Sequence, residues 1–355
     1  MRKRVVTPYV PLLFLCCALA DGLTGCAKTE ATREATATPA VTKTFRMNPA
    51  ELEPFADGFF PHQMEELHIA GLTVVVVQDG QVIFAKGYGS ANLETGAPFD
   101  PDETLVRIGS ISKLFVATAV MQLVEQGKLD LDADVNAYLA GSAFQVDDTF
   151  PEPVTLAHLL THTSGYGESA ESSEDPSTVP PLETYLALHM PPRLEPPGEK
   201  WIYSGHGNAI AALVVEKVSV KPFDVYVSQN ILQPLGMERS RYLLAPPLPE
   251  NLATGYAYQD GHQVPQLVEY YGDYPGAMLV STASDMARFM IAHLQHGCLE
   301  DTCILEDTTL EEMQRSQGDL PCDGCTLGFV VGEKSGQRLI GHAGAVHGFG
   351  SIMDL

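Results

Sequence analysis

Gly109-Ser110-Ile111-Ser112-Lys113-Leu114-Phe115-Val116-Ala117 is the stretch on which the fold turns. Ala117, Val120, Met121 and Val124 continue it with a 3.6-residue apolar period, and Gly127 ends it, so a helix is expected over 110–126. Inside that helix Ser110 and Lys113 stand three residues apart and share a face. A serine hydroxyl is a poor nucleophile until a base takes its proton. A lysine serves as that base when burial or neighbouring positive charge lowers its pKa. A nucleophile at a helix start also has backbone N–H groups aimed at developing negative charge. Ser-x-x-Lys alone is common, and on its own reads as a solvated helix face.

Working outward, strands lie towards both ends and helices lie between them. Phe55, Phe59, Met64 and Leu67 recur at helical spacing, and Leu72–Val77, the turn Asp79-Gly80 and Gln81–Lys86 read as a hairpin. Further helices are expected at Leu156–Leu160, Ile210–Val218, Phe223–Ile231 and Ser284–Leu294, the last with Ser284 as N-cap. Residues 168–182 read as an exposed loop, and Gly328–Val331, Gln337–Ile340 and Phe349–Leu355 as strands. The fold expected is α+β: an antiparallel sheet from both chain ends, flanked by helices, with an all-helical subdomain inserted.

Two more stretches carry chemistry. Trp201-Ile202-Tyr203-Ser204-Gly205 follows a Pro196-Pro197-Gly198-Glu199 turn, and Gly341-His342-Ala343-Gly344-Ala345 precedes His347-Gly348-Phe349. Taken alone, Tyr203 would be a packing residue and His342 a structural histidine. In this order after Ser-x-x-Lys, they make residues 50–355 resemble the class C β-lactamase, esterase and DD-peptidase family of penicillin-binding-protein-like serine hydrolases. Gly87–Asn92, Leu159–Gly165, Pro234–Met237 and Gly276–Phe289 add to the likeness.

The resemblance implies roles. Ser110 attacks a carbonyl, Lys113 helps deprotonate it, and Tyr203 passes the proton to the leaving group. The N–H groups of Ser110 and Ala345 form the oxyanion hole, and His342 and Gly344 line the substrate on the last motif strand. Water then hydrolyses an acyl-enzyme on an ester or amide, with no cofactor and no metal. His162 is expected to be structural. Two departures weigh against β-lactams and cell-wall peptides. Gly205 stands where the family carries an asparagine, and His342 where its β-lactamases carry a lysine. A DD-peptidase or β-lactamase is the alternative enzyme; a non-catalytic binding or sensor module on the same fold is the alternative from another class. The family pattern also implies a strand and a helix beyond Leu355, so a C-terminally shortened sheet with unpaired edges is expected.

The chain has 355 residues and a net charge of −24, which excludes a phosphate backbone as a natural partner. Arg2, Lys3 and Arg4 precede an apolar run, Val10–Ala20, too short to span a bilayer, so residues 1–25 read as a signal peptide. Leu23-Thr24-Gly25-Cys26 resembles a lipobox, implying a lipidated Cys26, a tether over 26–46 and a hydrolase domain over 47–355. Cleavage at Ala18-Leu19-Ala20 is the rival reading. An exported protein facing the periplasm or cell exterior is expected, held to the membrane only by a lipid anchor. Cys298, Cys303, Cys322 and Cys325 are then expected in disulfides, with 298–303 and 322–325 the favoured local pairing; spacing alone also allows a zinc site. The oligomeric state stays open.

Overall fold

Helix Ser112–Glu125 is the spine of the core. Every residue from Ser112 to Leu123 is buried, not only the stripe that the apolar period picks out. Helices close around it from several sides, as in the stack of Phe115 on Phe289 with ring centroids 4.2 Å apart. Most of its polar groups are bonded inside, although Gln122 Oε1 has no partner among the described residues. Thr118 Oγ1 donates to the Leu114 carbonyl at 2.8 Å, and Gln122 Nε2 donates to the carbonyls of Asn230 and Ile304, both at 2.9 Å. A helix buried all round is anchored by its whole surface. At about 1.5–3 kcal/mol for each large apolar side chain removed from water, this burial fixes the head of the helix firmly in the core.

The computed structural model describes residues 46–168, 171–318, 320–322, 324–334 and 336–355. The expected signal peptide and Cys26 lie outside them. Arg46–Leu355 forms one compact unit. Among the described residues, no helix is long and apolar enough to cross a membrane.

Each chain end supplies an antiparallel ladder. Gly71–Gln78 pairs with Gln81–Asn92, which pairs with Ala97–Pro98. Asp79 and Gly80 take φ of 52° and 75°, the two positive values that a tight hairpin turn requires. At the other end Gln337–Val346 is the central strand between Val330–Lys334 and Phe349–Asp354. Helices Leu156–Leu160, Leu182–His189, Gly205–Ser219 and Phe223–Val227 fill the middle of the chain.

Several boundaries differ from expectation. Helix Pro49–Leu67 packs on the first ladder through Leu52, Ala56, Phe60 and Met64. The stripe read from the sequence shares only Met64 with that face; Phe55, Phe59 and Leu67 point to solvent. Thr282, not Ser284, caps helix Ala283–Leu294, its hydroxyl accepting from the Asp285 amide at 3.1 Å. Hairpin Gly255–Gln259/His262–Gln266 was not anticipated, although its turn is another Asp-Gly. The cysteines form two local bridges, 298–303 and 322–325.

His293 tests the electrostatics of the core. It lies between Phe289 and Phe329, and among the described residues neither ring nitrogen has a partner. Burial pushes its pKa from 6.5 to about 3. A depressed histidine pKa leaves its stabilisation intact above pH 6.5, and that stabilisation drains away as pH falls towards the folded value. Between pH 7 and pH 5 this group therefore removes about 2 kcal/mol. Urea titrations at the two pH values should show a drop smaller by about that much in His293→Phe. An unchanged drop would assign the acid sensitivity elsewhere.

Candidate active site

Ser110 sits on a 3₁₀ turn, Gly109–Ile111, that runs directly into helix Ser112–Glu125. It is half-exposed, while its neighbours are buried. Two glycines let the turn meet the last motif strand. Gly109 has φ 53°, and a Cβ there would lie 2.7 Å from the Ala345 nitrogen. A Cβ on Gly344 would overlap the Ile108 carbonyl oxygen. The Ala345 amide is thus pressed against the Ser110 turn. Ser351 Oγ, on the next strand, donates to the same Ile108 carbonyl at 2.8 Å. Ser112 Oγ ties the turn to a third element: it donates to the Gly109 carbonyl at 2.6 Å and accepts from the Leu279 amide at 3.2 Å.

Lys113, one turn on, is buried. Its Nζ donates to Ser110 Oγ at 3.1 Å and to the Gly276 carbonyl at 3.0 Å. The second bond fixes the amine to a separate segment of the chain. A side chain at Gly276 would press on the lysine, with a Cβ 3.2 Å from Nζ.

Tyr203 completes the trio. Its ring centroid lies 5.0 Å from Lys113 Nζ. The tyrosine stands in an irregular segment just before helix Gly205–Ser219, whose N-cap Ser204 accepts from the Gly207 amide at 3.1 Å. The amides on either side of Tyr203 are both held by one residue. Ile202 N–H donates to the His162 carbonyl at 2.7 Å, and Ser204 N–H donates to His162 Nδ1 at 3.1 Å. The His162 ring also packs on the tyrosine at 4.4 Å between centroids. His162 is therefore a positioning residue for Tyr203 as well as a buried one. Its φ of 58° is rare for a non-glycine residue and marks the bend that presents both acceptors. Burial, with the Lys113 charge and His342 nearby, holds its pKa down at about 3, so its Nδ1 stays an acceptor. The motif Thr161–Gly165 flagged this residue, but its partners lie forty residues further along.

His342 is the fourth member. It is 93% buried, its ring 6.2 Å from that of Tyr203. Nδ1 lies 2.5 Å from the Ala343 carbonyl, which can only accept, so Nδ1 carries the proton and Nε2 presents a lone pair. Nε2 has no partner among the described residues. Burial, and then the Lys113 charge, push this pKa down to about 4, leaving the ring neutral at pH 7. The structure thus brings together Ser110, Lys113, Tyr203, His342, Gly344 and Ala345. The four cysteines lie in the two bridges and outside this cluster. Among the described residues there is no group of three or more His, Cys, Asp or Glu side chains arranged to hold a metal.

A serine and a lysine at the head of a buried helix, a tyrosine on a neighbouring loop and a histidine-glycine strand beside them define a protein of the penicillin-binding and β-lactamase fold. The Beta-lactamase family model matches residues 56–354, and the chain belongs to that family. It is 32% identical to esterase EstB of Burkholderia gladioli over 62% of this chain and 58% of that protein. It is 28% identical to the putative penicillin-binding protein PbpX of Bacillus subtilis, over 64% of this chain and 55% of that protein. The chain thus spans less than two thirds of these curated relatives. Among solved structures, the octameric penicillin-binding protein homologue from Pyrococcus abyssi superposes with a TM-score of 0.73 at 29% identity, over 87% of this chain and 71% of that one.

Proposed function

We propose that this protein is a serine hydrolase that forms an acyl-enzyme through Ser110 on an ester or amide. The observation that carries the reading is the Lys113 amine, fixed between Ser110 Oγ and the Gly276 carbonyl with the Tyr203 ring beside it. Lys113, acting as the free amine, draws the proton from Ser110 as its oxygen bonds to the acyl carbon, and replaces the proton that Tyr203 gives up. The Ser110 and Ala345 amides stabilise the resulting oxyanion. Tyr203 hands the proton to the departing alcohol or amine as the old acyl bond breaks. Water then repeats the sequence on the acyl-serine and frees the acid. Gly344 lets the last motif strand lie against the Ile108 carbonyl beside Ser110, and His342 offers the substrate an acceptor.

An esterase-like preference has its own support. β-Lactams and cell-wall peptides present a carboxylate to the last motif strand. Here that strand carries a histidine held neutral, and Gly205 supplies no side-chain amide to orient a peptide. A neutral imidazole attracts a carboxylate far less than an ammonium does. In the same reading, the N-terminal segment and Cys26 take the enzyme out of the cytoplasm as a lipid-anchored protein. Two disulfides suit that oxidising setting.

The test is covalent labelling with a fluorophosphonate and, separately, with a fluorescent penicillin. The phosphonate should label the wild type and leave Ser110→Ala unlabelled, while the penicillin labels weakly. Equal labelling by penicillin would replace this reading with a penicillin-recognising enzyme. A folded wild type that neither reagent labels would leave a binding module.

A further inference from the structure

We infer that the acyl substrate carries a primary ammonium group, received by Asp273 and Glu168 beside the nucleophile. The inference rests on the acyl-enzyme reading of Ser110 and adds the substrate class.

Gly205 follows Tyr203 by two residues and has no side chain. The space is not empty: a Cβ on Gly205 would overlap Asp273 Oδ2 and would lie 3.5 Å from Glu168 Oε1. Two carboxylates from distant parts of the chain therefore converge where the side chain of residue 205 would project. Asp273 is tied to the catalytic amine through its own turn. Its carbonyl accepts from the Gly276 amide at 3.2 Å, and the Gly276 carbonyl receives Lys113 Nζ. Glu168 keeps contact with solvent, yet burial raises its carboxyl above the ordinary value; the Lys113 charge opposes that rise and Asp273 adds to it. Among the described residues, no arginine, lysine or histidine stands within ion-pair distance of either carboxylate; at longer range Lys113 acts on Glu168 and His206 on Asp273. Like charges held this close are costly unless a cation comes between them. The amide of Gly205 approaches Glu168 at the start of helix Gly205–Ser219, which eases the charge there but supplies no cation.

An independent observation points the same way. Among the described residues, no donor reaches the buried lone pair of His342 Nε2, close to Tyr203 and Lys113. The cleft is thus rich in acceptors. A ligand that satisfies them must bring N–H groups, and a primary ammonium brings three with the matching charge. An α-amino-acyl ester or amide places that ammonium one carbon from the reacting carbonyl.

The experiment compares kcat/KM for alanine 4-nitroanilide, in both configurations, with its N-acetyl counterpart at pH 6.5, where the free amine is charged. The amine form should be preferred at least about tenfold in one configuration, as a charge-assisted hydrogen bond implies. In Asp273→Asn/Glu168→Gln that ratio should fall towards one. Equal rates on both substrates, or a preference that survives the double substitution, would overturn the inference. Fluorophosphonate labelling accompanies each assay. A labelled enzyme without the preference refutes only the ammonium site, whereas an unlabelled wild type refutes the acyl-enzyme reading beneath it. The wild-type ratio stands as a test even where the double variant folds poorly.

Discussion

Tyr203→Phe lowers kcat by about a hundred- to ten-thousand-fold while the protein stays folded. The ring of Tyr203 has two structural jobs, and phenylalanine does both: it packs on His162 at 4.4 Å and lies under Lys113 Nζ at 5.0 Å. The backbone on either side is held by His162 and does not depend on the hydroxyl. Only the proton path is removed. Thermal melting should therefore change little, and KM should move far less than kcat. Because Ser110 and Lys113 keep their 3.1 Å contact, fluorophosphonate labelling should slow but not vanish. A kcat within threefold of wild type would take Tyr203 out of the proton path and leave Lys113 acting alone.

Gly344→Ala costs about 3 kcal/mol or more and silences the enzyme together with its fold. The added methyl would overlap the Ile108 carbonyl oxygen and approach Ser351 Oγ to 2.5 Å. A serine can rotate, but a backbone carbonyl next to the nucleophile turn cannot give without moving Gly109 and Ser110. Gly350→Ala is the control on the adjacent strand, since a Cβ there meets nothing within 4 Å. Urea midpoints should separate the two variants clearly. Similar midpoints would mean that the strand slides away from Ile108 at little cost.

Chemistry in this chain was most legible where it is local. Ser110 and Lys113 meet because three residues bring them to one helix face, and the two disulfides join near neighbours. The Asp79-Gly80 hairpin follows from two residues that tolerate positive φ. The same signal at Asp260-Gly261 went unread because its strands, Gly255–Gln259 and His262–Gln266, lack a clean apolar run. Helix Gly205–Ser219 starts five residues before its apolar period, because His206, Gly207 and Asn208 look polar yet are buried. The first helix misled in the opposite direction, with aromatic side chains on its outer face. Least legible were His162 and Asp273. Both act on the segment 202–205 from far away in sequence, through a backbone clamp in one case and a vacant side-chain position in the other.

The clamp also divides the chain into parts that can vary separately. Between residues 162 and 204 the two arms are laced together by bonds that include Leu194 N–H to the Gly165 carbonyl, Gly198 N–H to that of Thr163, Ile202 N–H to that of His162, Ser204 N–H to His162 Nδ1 and Ser204 Oγ to the Gly167 carbonyl. Beyond this closed neck runs the largely exposed stretch 171–181, which touches Tyr270–Tyr271 through Ser172–Ser173. Lengthening such a loop costs little, about 0.6 kcal/mol for each doubling. Insertions there would reshape the rim of the cleft and leave the reactive tyrosine in register. The architecture is therefore a graftable cassette on a fixed mount, a route by which descendants of one scaffold acquire new appetites without rebuilding the machinery.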